Sequence, residues 1–153
     1  LGLLEEKLNN QPGSYLLILN STRNEDITIG QAGELALQPG YYIYVGSARG
    51  PGGVLARVRH HCRQNSNLHW HIDYLQSATE IKAVWYTYGS KNFEHHWANQ
   101  LANWGGEIVL AGFGASDCSC PSHLFYFTKL PEKDKFKNRL EKNVKHLYSI
   151  SED

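Results

Sequence analysis

The chain predicts a mixed α+β domain in which a small central β-sheet has helices packed against it. Three observations lead there. Residues 14–20 and 41–45 are short runs of leucine, isoleucine, valine and tyrosine bounded by Pro-Gly or Gly turns, as strands are. Residues 54–63 and 93–104 carry apolar side chains at helical spacing. Strand-like and helix-like segments intermix without the regular alternation of a parallel βα fold. The 153 residues provide one domain of ordinary size.

Residues 1–10 place Leu1, Leu4 and Leu8 around Glu5, Glu6 and Lys7, which predicts a short amphipathic helix stopped at Asn10 and Pro12-Gly13. Residues 14–20 are apolar on both alternating faces, so this strand is covered on both sides and takes the central position. Residues 27–29 favour extended structure, and Gly30, Gly33 and Pro39-Gly40 punctuate small extended pieces leading to a turn. Residues 41–45 form the second strong strand, the partner of the first. After a loop over 47–53, residues 54–63 form a helix with Arg57 and His61 one turn apart on one face. Residues 69–76 read as a short helix, 79–88 as a strand, and 93–104 as a helix stopped by Gly105-Gly106. Further strands are expected over 107–111 and 124–129, and Pro131 opens a final basic helix over 131–148.

An apolar share of 41% with 12% aromatics and 20% charged residues excludes a disordered chain. No apolar run approaches the roughly 20 residues of a membrane helix, so no membrane partner is expected. Three cysteines, with Cys118 and Cys120 separated by one residue, make a poor disulfide framework, and a reducing cytoplasmic setting and a monomer are expected. Lys plus Arg and Asp plus Glu both number 15, so total charge gives no support to nucleic-acid binding. Distribution does. Residues 49–63 contain Arg49, Arg57, Arg59 and Arg63 and no acid, while residues 129–145 carry seven Lys and Arg against three acids. For the second run a solvated helix face is the bland alternative.

One constellation joins Gly13-Ser14-Tyr15, Tyr44-Val45-Gly46, Arg57, His61 and His69. Neighbouring strands present Tyr15 and Tyr44, and the following helix presents Arg57 and His61. Hydrolysis of a phosphodiester needs a fixed cation for the charge that builds on phosphorus, which arginine supplies, and a group that accepts a proton from water. Arg57 and Tyr44 suit those roles; core tyrosines and a surface arginine are the alternative. Glu94 lies at the edge of the apolar face of its helix, where it suits Mg²⁺ or, equally, a favourable interaction with the helix N-terminus. Cys118, Cys120 and His123 offer three zinc ligands at most, with His69 or His71 as a fourth; buried thiols and core histidines are the alternative. His69 and Asp73 are four residues apart, a spacing that orients an imidazole or, equally, caps a helix.

The series Gly13-Ser14-Tyr15, Tyr44-Val45-Gly46, Leu55-x-Arg57-x-x-x-His61, His69-x-x-Ile72 and Glu94 resembles the GIY-YIG nucleases. Residues 42–59, 69–74, 112–118 and 122–126 are similar to the Uri-type branch of that superfamily, so the resemblance covers nearly the whole chain. It implies a GIY-YIG-like fold and a metal-dependent endonuclease acting on DNA, with RNA not excluded. Tyr44 would be the general base, Tyr15 its orienting or relay partner, and Arg57 the group on the scissile phosphate. His61 would hold base or phosphate, His69 would support them, and Glu94 would bind a single Mg²⁺ or Mn²⁺. Ser47, Arg49, Arg59 and Arg63 would contact nucleic acid. Fusion of some Uri-type members to a base-excision glycosylase implies DNA repair or processing, with a glycosylase or another targeting domain as partner.

The chain departs from that pattern in places. Serine stands at the middle of the first triplet, and 28 residues separate Tyr15 from Tyr44, an insertion that residues 30–40 would fill as an extra hairpin. Ser47 stands where many repair members carry lysine. The asparagine found near the end of many such domains has no clear counterpart, and Ser116 and Asp117 occupy that region. Two other readings stand beside the nuclease: a nucleic-acid-binding module with little cleavage, and a zinc-stabilised interaction domain. Glu94 discriminates, because a binder gains nothing from a carboxylate beside phosphate unless a cation lies between.

Overall fold

The structure, a computed structural model, describes residues 7–63, 68, 70–115, 120–140, 144 and 146–151. Strands β1 (Gly13–Ser21), β2 (Glu25–Ile29), β3 (Gly33–Leu37) and β4 (Gly40–Ala48) come first, followed by helices α1 (Gly53–Cys62) and α2 (His71–Gln76). Then come β5 (Glu80–Tyr88), α3 (Glu94–Asn103), β6 (Leu124–Phe127), α4 (Lys133–Leu140) and β7 (Tyr148–Ser151). Five strands form an antiparallel sheet in the order β6-β4-β1-β5-β7, and β2 and β3 form a separate hairpin. The mixed α+β class is therefore as the sequence predicts, and the doubly apolar β1 is the central strand.

Alternation along β1 builds two cores. Tyr15, Leu17 and Leu19 face one side, where α1, α2 and the β2–β3 hairpin supply Val54, Val58, Ile72, Leu75, Ile29 and Leu35. Leu16 and Ile18 face the other, against Phe93, Trp97 and Leu101 of α3 and its approach, and Phe136 and Leu140 of α4. The second core is strongly aromatic: Phe93 and Trp97 stack at 5.7 Å, and Phe136 meets Trp97 edge-on at 6.0 Å. Helices on both faces explain why β1 shows no polar side.

Three expectations change. Residues 1–6 of the expected N-terminal helix lie outside the described residues, and residues 7–10 are not helical. Instead, the chain passes over the start of α1, whose Val54 and Leu55 N–H groups donate to the carbonyls of Gln11 and Asn9 at 3.0 and 3.1 Å. Gly53, at φ 58°, permits that approach, since a Cβ there would lie 2.3 Å from the Asn10 carbonyl oxygen. The expected strand over 107–111 reduces to one bridge between Glu107 and Tyr126, because the chain turns back through Gly112 and Gly114 at positive φ. The helix expected over 131–148 is replaced at its end by β7, whose residues pair with the outer edge of β5 from Tyr86↔Tyr148 to Ala83↔Ser151. That edge needs backbone partners, and an alternating Tyr-Ser-Ile-Ser segment supplies them.

Leu17 is fully buried at the centre of this arrangement. Leu17→Ala is expected to lower the unfolding free energy by about 2–5 kcal/mol in urea denaturation; a loss below about 1 kcal/mol would contradict the two-sided burial of β1.

Candidate functional site

The pairing of β1 with β4 sets Tyr15 opposite Gly46 and Leu17 opposite Tyr44, so both tyrosines project to the α1 side. Gly46 is required there: a Cβ would lie 2.3 Å from Cζ of Tyr15. The Tyr15 ring folds over that gap, and its hydroxyl meets Nε2 of His61 on α1 at 2.7 Å, with both residues buried. The Tyr44 ring sits edge-on to His61 at 6.2 Å and to Phe113 at 6.1 Å. Gly114 backs it, since a Cβ there would come within 2.9 Å of the ring.

Arg57 lies one turn before His61. Its guanidinium stacks over Trp70 at 4.5 Å, and among the described residues no ion pair takes it up. Trp70 is held by Asp73, whose carboxylate accepts the Trp70 N–H at 2.8 Å and meets Nε2 of His60 at 2.9 Å. The Phe113 loop is tied to the same region by the Gly114 N–H, which donates to Nδ1 of His71 at 2.9 Å. From the far side of the sheet, Ser14 Oγ accepts the Phe93 N–H at 3.2 Å and Asn92 Oδ1 accepts the Glu94 N–H at 2.9 Å. These bonds fix the start of α3. Glu94 then lies 3.5 Å from Nδ1 of His123.

The charge states follow from burial. Burial raises the Tyr15 hydroxyl well above its ordinary range, and Tyr44 and Glu94 add to that while Arg57 opposes it. Tyr44 is pushed up to about 12, first by burial and then by the Glu94 carboxylate, again against Arg57. His61 is pushed down to about 3 by burial and by neighbouring His60, with Arg57 adding to the shift. Burial and His95 lower His123, with Glu94 opposing. At neutral pH the centre is therefore two phenols and a neutral imidazole, between a fixed guanidinium and a carboxylate whose fields both reach the tyrosines. Nδ1 of His61 is buried with no hydrogen-bond partner among the described residues. Burial that pushes the imidazole down to about 3 keeps it neutral, so it serves as the hydrogen-bond partner of Tyr15 and not as a base.

Of the residues singled out by sequence, Tyr15, Tyr44, Arg57, His61 and Glu94 are brought together. His69 and Cys118 lie outside the described residues, as do Ser116 and Asp117. Ser47 sits beside Ser14's position on the α3 side, with its hydroxyl buried and unpartnered among the described residues. Arg49, Arg59 and Arg63 are exposed. Cys120 meets Nδ1 of His95 at 3.1 Å, and the described residues contain no group of three His, Cys, Asp or Glu poised for a metal. Sequence reasoning missed Trp70 as the platform for Arg57, His123 as the partner of Glu94, and Gly114 as the rest for Tyr44. None has a local signal, since each acts across the fold.

A family model described as a domain of unknown function, DUF123, matches residues 14–147. The chain belongs to that family. DUF123 is a family of GIY-YIG-like fold, and the matched span takes in all five residues of the centre. Comparisons with curated proteins and with solved structures found no match. In this DUF123 chain no helix among the described residues is long and apolar enough to cross a membrane.

Because folded His61 titrates at about 3 against 6.5 for a free imidazole, the unfolded chain binds more protons between those values. His61 is thus a source of stability that is complete above pH 6.5 and is lost as pH falls toward 3. Urea denaturation between pH 7.5 and 4.5 is expected to show wild type losing up to about 1.4 kcal/mol per pH unit below pH 6 from this group, and His61→Gln a flatter profile. Equal slopes would contradict a buried neutral His61.

Proposed function

We propose that this chain is a divalent-metal-dependent endonuclease hydrolysing DNA phosphodiester bonds, nearest the Uri-type branch and working in cytoplasmic DNA repair or processing. One observation carries the reading. Tyr44 and the buried Tyr15–His61 pair lie between an arginine with no ion pair among the described residues and the Glu94 carboxylate, whose field reaches both tyrosines. That is the set a phosphodiester requires: a cation for the phosphate, a proton acceptor for water, and a carboxylate for a metal.

Arg57, already positioned by Trp70, binds the scissile phosphate and opposes the charge that builds on it. Tyr44 acts in the phenolate form left when its hydroxyl gives up its proton to solvent. It aligns the attacking water and takes its proton as the water oxygen bonds to phosphorus and the bond to the 3′ oxygen breaks. The neutral Tyr15–His61 pair forms the wall behind it and holds the tyrosine face of the centre in place. Glu94, a half-buried carboxylate beside a single imidazole, suits a hard cation that keeps most of its waters and takes substrate oxygens, as Mg²⁺ and Mn²⁺ do. When bound, such an ion neutralises the Glu94 charge that works against the Tyr44 phenolate and supports charge on the leaving 3′ oxygen.

The test is a labelled panel of duplex, single-stranded, nicked and branched DNA and RNA, with Mg²⁺, Mn²⁺ or EDTA. Wild type is expected to cut with metal, and Arg57→Ala and Glu94→Gln to cut at least about 100-fold more slowly. Glu94→Gln should bind DNA as well as wild type or better, because a repelling carboxylate is gone. Undiminished cutting by Glu94→Gln would sink the proposal, and binding without cutting in every condition would leave a binding module.

The raised Tyr44 hydroxyl also fixes a pH profile. With the proton acceptor held up to about 12, the cutting rate should climb through pH 7 to 9.5, approaching tenfold per unit. A rate that plateaus at pH 7 would remove Tyr44 from that role.

A further inference from the structure

A groove of about 510 Å³ opens at the end of the sheet where β5, β7 and the approach to α3 meet. Its volume lies in the range of small-ligand sites, about 300–1,000 Å³. Tyr88, His146 and Tyr148 form its aromatic side, and Lys91 and Phe93 form the other. Tyr148 stacks on Tyr86 at 5.5 Å yet remains 44% exposed, one of the few large apolar side chains so placed among the described residues. Tyr88 and His146 lie 6.0 and 5.9 Å from the same ring. The Lys91 ammonium sits 5.4 Å from the Phe93 ring centre. No acid is among the described residues that line the groove.

Its place relative to the reaction centre is fixed by register. Tyr15 pairs with Tyr86, and Tyr86 with Tyr148, so one row of tyrosines crosses three adjacent strands from the centre to the groove. Two strand spacings amount to about 10 Å. On the other wall, Phe93 immediately precedes Glu94.

We propose that this groove holds an unpaired nucleobase of a single-stranded segment beside the bond to be cut, with the base on Tyr148 and its phosphate at Lys91. Exposed aromatic rings backed by other rings stack on any base, and a lysine in a groove without acids attracts the backbone. The inference rests on the nuclease reading and narrows its substrate to DNA with an unpaired stretch next to the cleavage point. A continuous duplex keeps its bases stacked on one another and has none to give to Tyr148.

Binding of dye-labelled oligo(dT) and of an abasic oligomer of equal length, measured by anisotropy in EDTA, tests it without cleavage. Wild type is expected to prefer oligo(dT). Tyr148→Ala should weaken oligo(dT) binding about tenfold and leave the abasic oligomer unaffected, while Tyr148→Phe, which keeps the ring, restores it. Lys91→Gln should weaken both oligomers and reduce the salt dependence. Equal affinity of wild type and Tyr148→Ala for oligo(dT), with both folded by circular dichroism, would overturn the proposal, as would equal binding of the abasic oligomer. The nuclease reading fails separately: a wild type that never cuts, yet binds oligo(dT) through Tyr148, removes cleavage and keeps the base site.

Discussion

The hydrogen bond between Tyr15 and His61 is the constraint on which the centre depends. A phenol and an imidazole each carry a polar end that is costly to bury alone, at about 1–3 kcal/mol per unsatisfied group. Joined at 2.7 Å, they tie the central strand to α1 through an otherwise apolar layer. Together with the packing of Val54 and Val58, the bond seats α1 on the sheet, and Arg57, one turn earlier, is placed with it. Gly46 belongs to the same device, because any side chain there would occupy the space of the Tyr15 ring.

A second set of contacts brings the carboxylate to the same place from the opposite face of the sheet. Tyr15 and Ser14 are adjacent on β1 and so point to opposite sides; one bonds α1 and the other holds the start of α3. The triplet Gly-Ser-Tyr thus joins the layer that carries Arg57 and His61 to the layer that carries Glu94. The serine at its middle, a departure from the usual nuclease triplet, has a role of its own in this chain.

The pattern of the sheet was legible because its information is local. Two-sided apolarity marks β1 as central, and glycines and prolines delimit the hairpin that fills the insertion before β4. Tyr44, Arg57, His61 and Glu94 were legible as a set because their residue types fit one chemistry at spacings that match a family. The partners that hold them were not. Trp70 under Arg57, His123 beside Glu94 and Gly114 behind Tyr44 arise from contacts between segments far apart in the chain. The turn at 109–115 and the return of 148–151 to the β5 edge were missed for the same reason. Local propensity suggests a strand at 107–111 and a continued helix near 148, and the pairing needs of distant strands override both.

The proposed hydrolysis adds water to phosphorus at this centre and breaks the bond to the 3′ oxygen. The direct measurement is mass spectrometry of DNA cut by the wild-type chain in ¹⁸O-water with Mg²⁺. The account predicts one ¹⁸O atom in a new 5′-phosphate and an unlabelled 3′-hydroxyl. A product bearing a 3′-phosphate or a cyclic phosphate, or a substrate left intact under every metal, would contradict it.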